Sequence, residues 1–323
     1  MKTRLLLLAA CLVASSSALW SQTTDAEKDI RTVSKDSVMG WKTGGILGLN
    51  ISQASFTNWA AGGQNTVAIG GLVNLFAKYK SEKDSWDSML DLGYGLLKQG
   101  KDADFIKTDD KVDFTSKYGR KASSKWYYAG LVNFKTQMTA GYNYPNDSVK
   151  ISDLLAPAYV LAAIGMDYKP SDKLTAFIAP ITSKNTIVNN ELLANAGAFG
   201  VDKAVYDAEG NIVTPGKKSR SEVGGYVRMV YQQTFFKDKS VSIISKLDLF
   251  SNYKQNPQNI DVSWETIIGL KVNKYITTTI TSHLLYDNDI AIAVDRNNDG
   301  ITDGSGPRTQ FKEVIGVGFN YKF

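Results

Sequence analysis

The chain has 323 residues, 43% of them apolar and 21% charged, a balance that suits a folded protein and argues against a disordered one. Its formal charge of +5 is modest and its basic residues are scattered rather than striped, which argues against nucleic acid as a partner. The single cysteine, Cys11, lies close to the N-terminus, so the rest of the chain has no thiol for a disulfide, a thiolate metal site or a Cys nucleophile.

The first stretch, MKTRLLLLAACLVASSSALWSQ, has a basic start (Lys2, Arg4), an apolar run from Leu5 to Val13 and then small residues, the plan of a secretory signal. Residues 1–21 are expected to be the signal peptide, with cleavage near Ser21 or Gln22, and 22–41 a periplasmic N-terminal segment. Leu8-Ala9-Ala10-Cys11 also reads as a lipobox that would lipidate Cys11, although the apolar run before it is very short. Beyond the signal no stretch approaches the ~20 apolar residues of a membrane helix, which leaves a closed β-barrel as the way for this exported chain to cross a membrane.

From residue 42 to 323 the sequence alternates with period two. Val67, Ile69, Val73, Leu75 and Tyr79 alternate with Thr66, Gly70, Asn74 and Lys78; Trp86, Leu90, Leu92, Tyr94 and Leu96 alternate with Asp87, Asp91, Gly93 and Gly95. Similar segments follow at Trp126–Phe134, Val160–Tyr168, Val241–Leu249 and Val262–Val272. The pattern predicts about twelve strands, starting roughly at residues 44, 65, 86, 110, 126, 156, 173, 220, 240, 261, 275 and 309. Connections after even strands are short (SEKDS, KASSK, PSD, FKDK, NK) and those after odd strands generally longer. That is the alternation of periplasmic turns and extracellular loops in an outer-membrane barrel, and aromatics such as Tyr79, Trp86, Tyr118, Trp126, Tyr168, Phe235 and Phe236 crowd the short-turn side. A soluble β-sandwich also alternates, but it needs no alternation of loop length and turns its polar face outward.

Three connections invite closer reading. In SFTNWAAGGQN, Gly62 and Gly63 permit a tight path; either Asn58, Trp59 and Gln64 form a ligand platform, for a sugar among other ligands, or Trp59 anchors the loop against the rim. Between Lys184 and Arg220, Leu192, Leu193, Ala194, Ala196, Ala198 and Phe199 have helical spacing; the segment either constricts the mouth or caps it, with Tyr206–Asn211 as a turn at its tip. In DRNNDGITD, Asp295, Asn297, Asp299, the Ile301 carbonyl and Asp303 have the spacing of the front of an EF-hand loop, without its closing carboxylate. Calcium is therefore the one candidate cofactor, weakly held, against a solvated acidic loop.

The inner parity collects Asp87, Asp91, Lys135, Arg228, Lys246 and Glu265, with Asp113, Lys117, Asp248 and Lys271. Opposite charges there either pair or, where water runs past them, select solutes. The lone histidine, His283, is also on the lumen parity, so a lipid-facing Ser–His dyad is not expected and the chain reads as no enzyme.

The last strand, QFKEVIGVGFNYKF, puts Ile315, Val317, Phe319, Tyr321 and Phe323 on one face. The stretches LNISQASFTNWAAGGQNT, APITSKNTIVNNELLANAGAFGV, LLYDNDIAI and QFKEVIGVGFNYKF resemble an uncharacterised outer-membrane barrel family of Bacteroidota, a domain of unknown function. The resemblance implies fold and an outer-membrane location, but no activity. Resemblance to outer-membrane barrels also implies that Phe319, Tyr321 and Phe323 signal to the barrel-assembly machinery.

The expected protein is an all-β, monomeric transmembrane antiparallel barrel in the bacterial outer membrane, surrounded by its lipid. It acts either as a narrow pore or transporter for small solutes or as a non-conducting interaction subunit of an assembly or secretion complex, with the solute or partner protein unknown.

Overall fold

The computed structural model describes residues 39–56, 64–144, 147–236, 240–271, 273, 276–294 and 303–322. Twelve antiparallel strands form a closed barrel: β1 Gly40–Ala54, β2 Thr66–Lys80, β3 Asp84–Gln99, β4 Ile106–Lys121, β5 Trp126–Thr136, β6 Ala158–Ser171, β7 Leu174–Ile187, β8 Ser219–Phe235, β9 Val241–Asn252, β10 Ile260–Lys271, β11 Ile276–Tyr286 and β12 Gln310–Lys322. Each strand pairs with its chain neighbours, and β12 closes on β1 with Leu47 opposite Tyr321 and Leu49 opposite Phe319. Closure leaves no sheet edge with unpaired backbone groups, the condition for strands in a hydrocarbon phase. The short and long connections alternate as the sequence predicts.

Alternation decides which side chains meet which phase. On the outer parity Leu47, Leu49, Ile51, Val132, Ile164, Ile181, Trp264, Phe311 and Ile315 are exposed. A soluble barrel would leave so many large apolar groups in water, whereas lipid takes them at no such cost. Indole N–H groups on this face are still satisfied, by Ser116 for Trp86 and Ser245 for Trp264, both at 2.8 Å. At the short-turn end Trp41 lies between Tyr79 and Trp86, with centroids 5.3 and 5.9 Å away, and Trp126 lies 4.6 Å from Tyr168. These rings, with exposed Tyr118, Phe235 and Phe236, form the aromatic belt.

One irregularity bends the wall. Pro180 lies within β7, where the register shifts against both β6 (at Gly165) and β8 (between Gly224 and Tyr226). Proline lacks the ladder donor, so it is tolerated at bulges. The backbones then come so close that a Cβ on Gly165 would lie 2.0 Å from the Ile178 carbonyl oxygen.

The connection 188–218 folds into a cap at the long-loop end. A short helix, α1 (Glu191–Asn195), is capped by Asn190, whose side chain accepts from the Leu193 N–H at 3.2 Å. Ala156, Val188, Leu193, Ala194 and Val201 make its buried core, with Ala198 and Phe199 against it. The expected turn at Tyr206–Asn211 joins a ribbon of Val205–Tyr206 and Ile212–Thr214, and the Asp207 carboxylate accepts from the Glu209 and Asn211 N–H groups at 3.1 and 2.7 Å. Asp153 holds the neighbouring loop to the cap by accepting from Lys150 at 2.7 Å and Asn190 at 3.1 Å.

Candidate lumenal site

The inner wall is not uniform. On β5 to β9, Ala129, Leu131, Ala163, Phe177, Ala179, Tyr226 and Phe250 pack into one buried cluster inside the barrel. Phe177 and Tyr226 meet edge-on, 6.3 Å between centroids, and the Tyr226 hydroxyl donates to Asp248 at 2.6 Å. On β2 and β3, the inner positions include Gly70, Gly93 and Gly95, which cannot fill the lumen.

The rest of the lumen is ionic and lies in three levels. Near the short turns, Lys117 donates to Asp167 at 2.7 Å, with Lys169 at 3.4 Å from the same carboxylate. At mid-height, Asp91 and Asp113 are directly opposed on β3 and β4, a like-charge pairing that is unfavourable by itself. Asn74 donates to Asp91 at 2.7 Å and Asn133 to Asp113 at 2.6 Å, while Lys135 stands 4.0 Å from Asp113. Arg228 pairs with Asp248 at 3.1 Å and Lys246 with Glu265 at 3.0 Å. Lys111 on β4 reaches across to Glu265 on β10 at 3.4 Å, a contact between strands that are not neighbours in the wall.

Towards the long loops, Lys184 on β7 meets Asp261 at 2.6 Å, Asp287 at 3.3 Å and Glu222 at 3.7 Å. Arg220 binds Glu222 at 3.0 Å, pairs with Asp289 and donates to the Gly200 carbonyl at 3.3 Å. The cap and the loop after β11 are thereby joined at the mouth. Between the mid-height pairs and the short turns, Lys78, Asp87, Asp91, Asp113, Lys117, Arg228 and Lys246 line a cavity of about 110 Å³, with Met89, Leu131, Thr175 and Val230.

The structure thus brings together Asp91, Lys135, Arg228, Lys246 and Glu265, and places Asp87 in the cavity wall. His283 is inside, opposite Glu265 and Lys312 in register, with its Nε2 3.0 Å from Ser263 Oγ. Lys271 shares the inner parity of Glu265 and Ile267, as expected, and is exposed at the end of β10. Lys184, where the sequence pattern starts the long connection, is inside a strand that runs to Ile187. Asp167 lies on the polar parity of its strand, opposite in face to Ile164 and Tyr168, as the alternation predicts, whereas Lys111, Glu222, Asp261 and Asp287 escape the sequence reading, and only inner parity on correctly bounded strands finds the first three of these.

Asn58, Trp59, Gly62 and Gly63 lie outside the described residues; at the base of their loop the Phe56 N–H donates to Asn65 at 2.6 Å. Asp295, Asn297, Asp299 and Ile301 are also outside them, and Asp303 is exposed beside a ribbon of Ile292–Val294 with Gly304–Gly306. Among the described residues no group of three His, Cys, Asp or Glu could hold a metal ion. Phe319 and Tyr321 have the registers given above; Phe323, the signal segment and residues 22–38 lie outside the description.

Closure, strand number and the apolar exterior define a transmembrane β-barrel. A family model described as "Protein of unknown function (DUF3078)" matches residues 51–142. No curated protein matches. Among solved structures, an outer membrane channel from Pseudomonas putida F1 is 9% identical with a TM-score of 0.38, covering 89% of this chain and 97% of that one. The translocator domain of the autotransporter NalP from Neisseria meningitidis is 9% identical with a TM-score of 0.34, covering 93% and 98%. The ferric-catecholate import receptor Fiu from E. coli K12 is 9% identical with a TM-score of 0.31, covering 88% and 52%. Likenesses at this level assign nothing further to the chain.

Proposed function

We propose that this protein is a bacterial outer-membrane barrel that provides a narrow pathway for small polar solutes, closed at rest by ion pairs across its lumen. The carrying observation is the pair of contacts from Lys111 to Glu265 and from Lys184 to Asp261, which join strands far apart in the wall. Replacing buried ion pairs by apolar packing is often neutral or stabilising by ~1–4 kcal/mol, so a barrel that merely stands in the membrane has little use for so many. Charges inside a membrane protein are expensive and belong with solute pathways. Water that enters when the pairs part would also meet buried oxygens such as Asp167 Oδ1 and Asp248 Oδ2, which have no hydrogen-bond donor among the described residues.

A second reading, a non-conducting interaction subunit, is favoured by the apolar cluster around Phe177 and by the folded cap. Conductance of the purified barrel in planar bilayers, with the cap connection intact and with residues 189–217 replaced by a short linker, separates the two. The pathway reading expects small, intermittent currents that increase without the cap. Silence in both forms, with normal insertion, supports the subunit. We assign no reaction to Ser263 and His283: the pair faces the ionic lumen, and no third group among the described contacts orients the imidazole as a base.

A further inference from the structure

Lysines keep different company at the two ends of the barrel. At the long-loop end Lys107, Lys150, Lys217 and Lys312 are each neutralised by an aspartate, at 2.9, 2.7, 2.6 and 2.7 Å. At the short-turn end the consecutive strands β3 to β7 carry Lys83, Lys121, Lys125, Lys169 and Lys173 at their tips. Lys169 is partly buried and held by Asp167 at 3.4 Å. Lys83, Lys121, Lys125 and Lys173 are exposed, and their ammonium groups make no hydrogen bond or ion pair among the described residues.

The ladder hydrogen bonds continue through these residues. The Lys83 carbonyl accepts from the Lys121 N–H at 2.7 Å, the Lys125 carbonyl from the Lys169 N–H at 2.8 Å and the Lys173 carbonyl from the Gln232 N–H at 2.8 Å. Alternation therefore still holds there, and Lys121 and Lys173 share the parity of the cavity-lining Lys117 and Thr175, Lys83 that of Asp87, and Lys125 that of Leu131. The lysines border the opening, not the lipid. Nearby carboxylates offset this charge only in part. Asp84 accepts from the Tyr118 hydroxyl at 2.7 Å on the outer face, Asp87 lies deeper, in register between Lys78 and Lys117, and Glu82 and Asp172 sit at turn tips beside Lys83 and Lys173. Lys83 and Lys121, opposed across β3 and β4, are a like-charge pairing that is unfavourable by itself.

We propose that the short-turn mouth is a docking site for an extended acidic segment of a partner protein, whose carboxylates lie along Lys83, Lys121, Lys125 and Lys173. From β3 to β7 the arc crosses four strand spacings of ~4.8 Å, about 19 Å in all. A small anion reaches two neighbouring lysines, and only a chain of charges reaches every one. At ~3.3 Å per residue, about six extended residues span the arc. Exposed ion pairs are individually weak, so the binding is shared among the lysines and falls with salt. The site rests on neither reading of the lumen, since it needs no current and no cap.

The test is fluorescence anisotropy of labelled hexaglutamate, hexaglutamine and hexalysine peptides titrated with the folded, full-length barrel in uncharged nanodiscs at low ionic strength. Hexaglutamate should bind at least about tenfold more tightly than either other peptide, and less tightly as salt is added. Replacing Lys83, Lys121, Lys125 and Lys173 together by Gln should weaken it about tenfold, with folding checked by heat-modifiable migration. The same four positions as Arg should keep the binding, and Lys203→Gln with Lys218→Gln, in the cap connection at the other end, should leave it unchanged. Equal binding of hexaglutamine, or binding unaltered by the four Gln substitutions, overturns the site. Loss in the Arg form as well removes charge as its cause. Inorganic phosphate that displaces the peptide at matched ionic strength would make it a small-anion site, and loss of peptide binding in phosphatidylglycerol nanodiscs would make it a lipid contact; either result overturns the acidic segment.

Discussion

The two halves of the inner wall have opposite construction. On β5 to β9 the lumen is packed like the core of a soluble protein, with Phe177 at 1% exposure and Tyr226 and Phe250 at 5%. On β2 and β3 the inner positions include Gly70, Gly93 and Gly95 beside Asn74, Asp87 and Asp91, with Leu72, Phe76 and Met89 among them, and a cavity remains beside the polar groups. One wall therefore supplies cohesion and the other supplies room. A barrel of this strand number can be filled or open according to its inner side chains, and this one is filled on a single side.

The difference is exposed most strongly by truncation. Phe177→Ala removes a fully buried ring from the packed half and should cost about 3–5 kcal/mol, read as a fall in the urea midpoint of unfolding from lipid vesicles. Phe76→Ala, in the half outside that cluster and less completely buried, should cost clearly less than Phe177→Ala. Equal losses would mean that the halves are not mechanically distinct.

Enlargement gives the next effect. Gly165→Ala would drive a Cβ into the Ile178 carbonyl at 2.0 Å, and should cost about 1–3 kcal/mol or lower the yield of heat-modifiable barrel. Gly70→Ala meets nothing nearer than the Asn50 amide nitrogen at 3.4 Å and should stay within about 0.5 kcal/mol of the parent.

The smallest effect is sought in the cap. Lys150, donating to Asp153, holds that carboxyl below the usual range against the opposing pull of burial, with the Leu154 N–H and Asn190 assisting. Since the folded value lies below the unfolded one, this tie has its full strength above about pH 4 and is lost as the pH falls through the folded value. Protease cleavage within 188–218 should accelerate there while the barrel stays intact, and Asp153→Asn should show partial acceleration already at neutral pH. A cap equally resistant at both pH values, in both proteins, would remove Asp153 from the account.

Much of this architecture was legible in the sequence. Inner and outer parities, the short turns and the number of strands follow from a period of two, which lipid outside and charge inside enforce strongly. The sequence predicts the first strand from about residue 44, whereas it begins at Gly40, and Trp41 thereby joins the aromatic belt unpredicted. Lys184 was missed for a related reason: Pro180 and the polar run after it look like the end of a strand, yet a bulge carries the strand past them. Contacts such as Lys111 with Glu265 could not be read at all, since sequence fixes which side of a strand a residue faces and not what lies across a closed lumen.

The central claim is that the ionic side of the lumen is a pathway held shut by those cross-lumen pairs. Lys111→Ala tests it most directly: it removes one bridge and leaves Glu265 paired with Lys246 at 3.0 Å. Single-channel recordings in planar bilayers should show a several-fold longer open time or larger unit current than the parent protein. Properly folded and inserted Lys111→Ala barrels that conduct no more than the parent, with the cap removed as well, would contradict the account.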